Sequence, residues 1–283
     1  MKTAFSLFSF EEDANPAEIF ALVKKAGYEG VEPVLGDFGY LNVSSSDEDI
    51  LAVKKLAEKY GLSIPSVGAR NLWDNNLVSD NGETREKAKN IIRFELHAAR
   101  LLGADTVLVV PGYVGTEISP TTESVRYDIA YERAAEAFGV LKDDAEREEV
   151  KMGIENVWNR FLLSPIETAR LVDEVNSPCF GVYFDVGNII YIGYPDQWIE
   201  ILGKRIFKIH LSDYRSSQAG MGAFVDLFAG DVDFGAVAKS LKATGYDDWL
   251  TTEMFPNYKQ FPRVSITSSR AAVDTILELY KNA

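Results

Sequence analysis

Cysteine is almost missing from this chain of 283 residues. The single thiol, Cys179, cannot form an intrachain disulfide, and its solitude removes any cysteine-based zinc site. Its neighbours Ser177, Pro178 and Phe180 suggest a packed position just before a strand. No run of about eighteen consecutive apolar residues occurs, so no transmembrane helix is expected. The first residues, MKTAFSLFSFEEDANP, carry one Lys and a short apolar run that soon meets Glu11, Glu12 and Asp13. That pattern lacks a small-residue cleavage site and does not fit a signal peptide, so a cytoplasmic location is the expectation. Positive charge is also short: 29 Lys and Arg stand against 43 Asp and Glu, and the net charge of -14 repels a phosphate backbone, arguing against nucleic-acid binding.

What is present describes a folded chain. Hydrophobic residues at 46% and charged residues at 25% exclude disorder, collagen and a coiled coil. The length alone would suggest two domains at roughly 150 residues each, but α/β barrels run to 200–250 residues or more as one. Short apolar runs alternate with longer amphipathic stretches. Eight strands are predicted, at Ala4–Phe8, Gly30–Val34, Ser63–Val67, Thr106–Val110, Lys151–Glu155, Gly181–Asp185, Phe207–His210 and Trp249–Glu253. Between them Asn15-Pro16 starts a helix that ends near Gly27, while Ser45-Ser46-Asp47-Glu48 and Ser164-Pro165-Ile166-Glu167 read as capping boxes. Further helices are predicted at Glu83–Leu102, Glu123–Phe138, Asp196–Leu202, Phe234–Thr244 and Val264–Lys281. The acidic stretch Asp143–Glu149 reads as a solvated helix end.

This alternation, without an obvious linker, predicts a closed parallel eight-stranded (β/α)8 TIM barrel occupying residues 1–283 as a single domain. An open doubly wound sheet would want a glycine-rich turn after the first strand, and Phe8-Ser9-Phe10-Glu11-Glu12 is not one.

In such a barrel the side chains at the C-terminal ends of strands carry the chemistry. Four consecutive predicted strands finish in Glu155, Asp185, His210 and Glu253, separated by 30 (155 to 185), 25 (185 to 210) and 43 (210 to 253) residues. Carboxylates at interior strand positions are costly unless paired or metal-bound, and no Lys or Arg stands at a comparable strand end. Three carboxylates and one imidazole make a hard donor set. It favours Mn²⁺ or Mg²⁺, with Co²⁺ and Zn²⁺ as further candidates, and leaves positions for two neighbouring substrate oxygens. A buried ion-pair network is the alternative explanation. His97, on an outer helix, reads as a packing or surface residue, and Trp73, Trp158 and Phe228 as packing residues that could also wall a pocket.

The segments Ile154-Glu155-Asn156, Phe184-Asp185-Val186-Gly187-Asn188, His210-Leu211-Ser212-Asp213 and Thr252-Glu253-Met254 resemble the sugar and sugar-phosphate isomerase/epimerase superfamily of xylose-isomerase-like barrels, particularly the ketose 3-epimerases. Gly230-Asp231-Val232-Asp233-Phe234, and Gly103-Ala104-Asp105 leading into Val109-Val110-Pro111-Gly112, add to the likeness, which covers most of the chain. The resemblance implies that Glu155, Asp185, His210 and Glu253 bind one divalent metal, Mn²⁺ first. It also implies that Glu155 and Glu253 act as two proton-transfer groups on opposite faces of a metal-stabilised enediolate. A 1,2-keto-sugar or hydroxypyruvate-type isomerase and an inosose-type dehydratase share that frame and stay open.

Asn188 stands where free-ketose 3-epimerases tend to have His, and the Asp-Val-Gly-Asn run looks closer to phosphopentulose 3-epimerases. Asn188 is therefore expected to bind substrate as a hydrogen-bonding group, and a sugar phosphate joins the free sugar as a candidate ligand. Arg70, Arg160, Arg215, Lys259 and Arg263 are candidates for a phosphate clamp, Arg215 foremost, and Asp213 is a further substrate-site candidate, or else a bracing residue or a helix cap. The apurinic endonucleases of the same superfamily need a three-zinc cluster built largely from histidines, which two His and a net charge of -14 do not support. A metal-free sugar-binding barrel would show damaged ligand positions, and all four are intact. The resemblance also suggests a homodimer or homotetramer through the outer helices.

Overall fold

The structure, a computed structural model, describes residues 1–118, 123–255 and 258–283. Its strands are β1 (Lys2–Ser6), β2 (Gly30–Glu32), β3 (Val34–Leu35), β4 (Ser66–Ala69), β5 (Thr106–Val109), β6 (Lys151–Glu155), β7 (Phe180–Asp185), β8 (Ile206–Leu211), β9 (Asp213–Tyr214), β10 (Phe224–Val225) and β11 (Trp249–Thr252). The helices are α1 (Pro16–Ala26), α2 (Asp47–Lys59), α3 (Gly82–Leu102), α4 (Tyr127–Glu148), α5 (Pro165–Val175), α6 (Pro195–Leu202), α7 (Phe234–Thr244) and α8 (Val264–Asn282).

Nine of the strands form one parallel sheet in the order β2-β1-β11-β8-β7-β6-β5-β4-β3. Its two ends, β2 and β3, are halves of a single stave, so the sheet closes on itself into an eight-staved TIM barrel. Proline explains the split: Pro33 has no N–H to give, and the ladder breaks there while its carbonyl still accepts from Gly68. A similar effect moves the next stave. It was expected at Ser63–Val67 but begins at Ser66, one residue beyond Pro65, and Ser63 contributes only an isolated bridge to Gly30.

The strands are buried on both sides, against the interior and against the helices, which is why their sequences run apolar instead of alternating. In β5, Val107, Leu108 and Val109 are all fully buried, and each such side chain contributes roughly 1.5–3 kcal/mol. Helix starts follow the expected signals. Asn15 accepts from the Ala17 N–H with Pro16 in the first turn, and Ser46 closes a capping box with Asp49. Ser164 caps α5, but Glu167 turns to the Leu163 N–H and the Tyr127 hydroxyl, leaving that box half formed. Helix α4 is longer than expected: it starts at Tyr127 and passes through Gly139 to Glu148, taking most of the acidic stretch into its last turns.

The short pair β9 and β10 is antiparallel and was not foreseen. It lies just after β8 and carries the chain across the barrel mouth. Asp213, at its start, accepts from the N–H groups of Tyr214, Gly230 and Val232, fastening this excursion. Gly230 is required there, since a Cβ would collide with the Asp213 carboxylate. At the other end of the barrel, Lys208 of β8 is buried and bonded to Asp248 at 2.8 Å and Asp105 at 2.9 Å.

Candidate metal centre

Glu155, Asp185, His210 and Glu253 converge at the C-terminal mouth of the barrel, each at or just past the end of its stave. One ligand atom from each lies within 4.8 Å of all the others. His210 is central: its Nδ1 is 3.3 Å from Glu155 Oε1 and 3.3 Å from Glu253 Oε2. Among the described residues, no Lys or Arg forms an ion pair with any of the three carboxylates, so a conventional salt-bridge network does not account for them. Asp185 Oδ2 is buried and has no hydrogen-bond partner. A cation resolves both facts, and the donor chemistry is that of a divalent site. A single ion bonded at about 2.1 Å on each side spans this spread with small side-chain adjustments.

The second ring of contacts is extensive. Asp185 Oδ1 accepts from the Ser212 hydroxyl and the Asn188 N–H, both at 2.7 Å, and Asn156 braces the Asp185 backbone from both sides. The close approach of the two strand ends depends on Gly187, where a Cβ would lie 2.9 Å from the carbonyl carbon of Ser212. His210 Nε2 is 2.8 Å from Glu32 Oε1, and Glu32 also accepts from the Ser66 and Tyr183 hydroxyls, both at 2.6 Å. Glu32 thus accepts from the Nε2–H and leaves Nδ1 to face the carboxylates.

Electrostatics match this division. Burial alone would raise the Glu32 carboxyl, but His210 and the two hydroxyls hold it below its ordinary value. Burial, reinforced by Glu253, pushes the Glu155 carboxyl up to about 8 against the pull of His210. Burial and the Glu253 charge likewise push Asp185 up to about 7. For His210, burial disfavours the imidazolium, but Tyr183, Glu32 and Glu253 outweigh it and hold the pKa well above the usual value. A divalent ion at this point displaces a proton as it binds.

Asp185 and His210 are at 0% exposure, whereas Glu155 and Glu253, at 8% and 7%, reach the wall of a cavity of about 290 Å³. Asn188, Arg70, Asn71, Trp73 and Trp158 line the same cavity. Asp213 and Arg215 are not brought to it: Asp213 is spent on backbone N–H groups, and Arg215 donates to the Ala229 carbonyl at 2.7 Å. Phe228 is exposed and packs on Phe234. His97 bonds Asp47 on the outer layer, and Cys179 lies just ahead of β7. Sequence reasoning missed Glu32. Its signal was available, since Val31-Glu32-Pro33 places a carboxylate at a strand end just as the other motifs do.

Fold and site together define an eight-staved barrel with a buried carboxylate–histidine cluster suited to a divalent metal at its mouth. Residues 20–276 match the family described as the xylose isomerase-like TIM barrel, and the chain belongs to it. It is 25% identical over 284 residues to a putative L-ribulose-5-phosphate 3-epimerase, SgbU, of Escherichia coli, covering 94% of this chain and 93% of that protein. Among solved structures, a D-psicose 3-epimerase crystallised in the presence of D-fructose superposes with a TM-score of 0.79 at 16% identity, covering 99% of both chains. A structure of IOLI protein with a bound zinc atom has a TM-score of 0.77 at 18% identity, again over 99% of both chains. At such identities the structural likeness is one of fold. Among the described residues no helix is long and apolar enough to cross a membrane.

Proposed function

We propose that the protein is a divalent-metal-dependent sugar epimerase that inverts C3 of a ketose by proton transfer between Glu155 and Glu253. The observation that carries this is the division of the ligand set: the two glutamates, each 3.3 Å from His210 Nδ1, reach the cavity wall, while Asp185 and His210 are fully buried. The chain's similarity to proteins named as 3-epimerases supports the same reaction class.

Glu155, Asp185, His210 and Glu253 would hold the ion, for which the hard donor set favours Mn²⁺ or Mg²⁺ ahead of Co²⁺ or Zn²⁺. When bound, it supplies Lewis-acid polarisation of the substrate carbonyl. One glutamate, as carboxylate, takes the proton from C3 as the C–H electron pair moves towards the carbonyl. The other, as carboxylic acid, delivers a proton to the opposite face of the flattened carbon. The protonation states of the pair are thereby exchanged, and proton exchange with solvent restores them. Asn188, on the cavity wall, offers the substrate a hydrogen bond but no proton.

The test is solvent exchange in D₂O with Mn²⁺, followed by NMR over ketopentoses, ketohexoses and their phosphates. Metal-dependent deuterium at C3 with a new epimer supports the proposal. Deuterium at C1 or C2 would make the protein an isomerase, and binding of metal and sugar with no exchange would point to dehydratase chemistry.

A further inference from the structure

The cavity in front of Glu155 and Glu253 adjoins a second one of about 280 Å³, and Val157, Trp158 and Asn188 line both. Leu163, Tyr191 and Ile192 form much of the outer wall and are largely exposed. The charged pair on that wall, Glu117 and Arg160, is self-neutralised at 3.1 Å. Trp158 divides the two spaces. Its ring packs on Tyr214, Phe224 and Tyr191 with centroids 5.0, 5.5 and 5.9 Å away, yet its indole N–H has no partner.

We infer that the outer cavity is a subsite for a second neutral ring, so that the substrate is a ketose bearing a glycosyl-like appendage instead of a phosphate. This rests on the epimerase reading for the ring held at the metal. Size gives the first argument: ligand sites usually span roughly 300–1,000 Å³, so each cavity alone falls just short while the joined pair falls inside. The outer walls are aromatic and aliphatic, which suits the C–H face of a sugar ring.

Charge gives the second argument, because a phosphate needs free cations. The inner wall carries four carboxylates, Glu12, Asp74, Glu155 and Glu253, against one cation, Arg70. Arg70 donates to the Phe10 carbonyl at 2.9 Å and lies 3.8 Å from Glu12, while its Nε has no hydrogen-bond partner. Of the other clamp candidates, Arg160 pairs with Glu117, Arg215 with the Ala229 carbonyl and Arg263 with Glu18, and Lys259 lines neither cavity.

Calorimetric titration of the Mn²⁺-loaded protein with lactulose, fructose and fructose 6-phosphate tests the subsite. Lactulose, a neutral galactosyl ketose, is expected to bind at least tenfold more tightly than fructose, with fructose 6-phosphate the weakest of the three. Tyr191→Ala should draw the lactulose-to-fructose affinity ratio towards one. A ratio near one in the unaltered protein, a ratio insensitive to Tyr191→Ala, or tightest binding of the phosphate would overturn the inference. So would loss of a dimer in Tyr191→Ala, which would assign the outer wall to a second copy of the chain. Parallel D₂O exchange separates the two readings. A lactulose advantage without exchange sinks the epimerase and keeps the subsite, whereas exchange at C3 without that advantage does the reverse.

Discussion

Glu32 and His210, 178 residues apart in the chain, meet in a 2.8 Å hydrogen bond that fixes which imidazole nitrogen faces the metal ligands. A carboxylate in that position sets the ring's orientation and raises its basicity. Glu32→Gln keeps the shape and removes the charge. It should lower Mn²⁺ affinity by about 10–100-fold, as measured by calorimetric titration. Unchanged affinity would mean that His210 is oriented by packing against Tyr183, 4.5 Å away between ring centroids.

Glu155→Gln and Glu253→Gln, each assayed at saturating Mn²⁺, should cut C3 exchange by about 10²–10⁴-fold while circular dichroism stays unaltered. Full activity in either variant would refute the two-glutamate scheme.

Metal binding should be visible as stability. Mn²⁺ at a hundred times its dissociation constant adds about 2.7 kcal/mol, so Tm should rise by several degrees and fall back with chelator. In Asp185→Asn, which weakens the most enclosed carboxylate of the set, the rise should shrink or vanish.

Glu95 predicts a pH effect. It sits on α3 at 0% exposure, and neither carboxyl oxygen has a hydrogen-bond partner. Burial, and then the Glu32 charge, raise its pKa well above the ordinary value. The folded protein therefore keeps a proton that the unfolded chain releases near pH ~4.3, and stability contributed by this group falls as pH rises between the two pKa values. The slope is at most ~1.4 kcal/mol per pH unit. Glu95→Gln should flatten the decline of Tm from pH 5 to pH 8, with the largest gain at the alkaline end; parallel curves for the two proteins would show that Glu95 is charged when folded.

Gly187→Ala should harm stability and metal binding together. The new methyl would press on the Ser212 backbone, at a cost of about 1–3 kcal/mol for overpacking, and lever the Ser212 hydroxyl away from Asp185. Differential scanning fluorimetry and Mn²⁺ titration check the two effects; a fall in Tm with intact affinity would separate packing from the site.

The barrel and the four convergent side chains were legible because both follow from short-range rules. A strand buried on two faces reads as a continuous apolar run, and a carboxylate or His ending such a run stands out. Glu32 escaped because its stave is broken at Pro33 and its partner lies far along the chain. The fates of Asp213 and Arg215 were hidden for another reason: the β9–β10 excursion bends back on itself, so their partners are backbone groups of residues 214–232 that carry no side-chain signature. Arg70 and Arg160 do reach cavity walls, but their engagement by Phe10 and Glu117 could be seen only in three dimensions.

β1 is the seam where early and late parts of the polypeptide interlock, for it is seated between β2 and β11. Along the chain Glu32 comes first, then Glu155, Asp185 and His210, and Glu253 is the last of the set. A copy that stops short of Glu253 therefore cannot assemble the four-residue cluster, and any chemistry that depends on it waits for β11 to take its place beside β1.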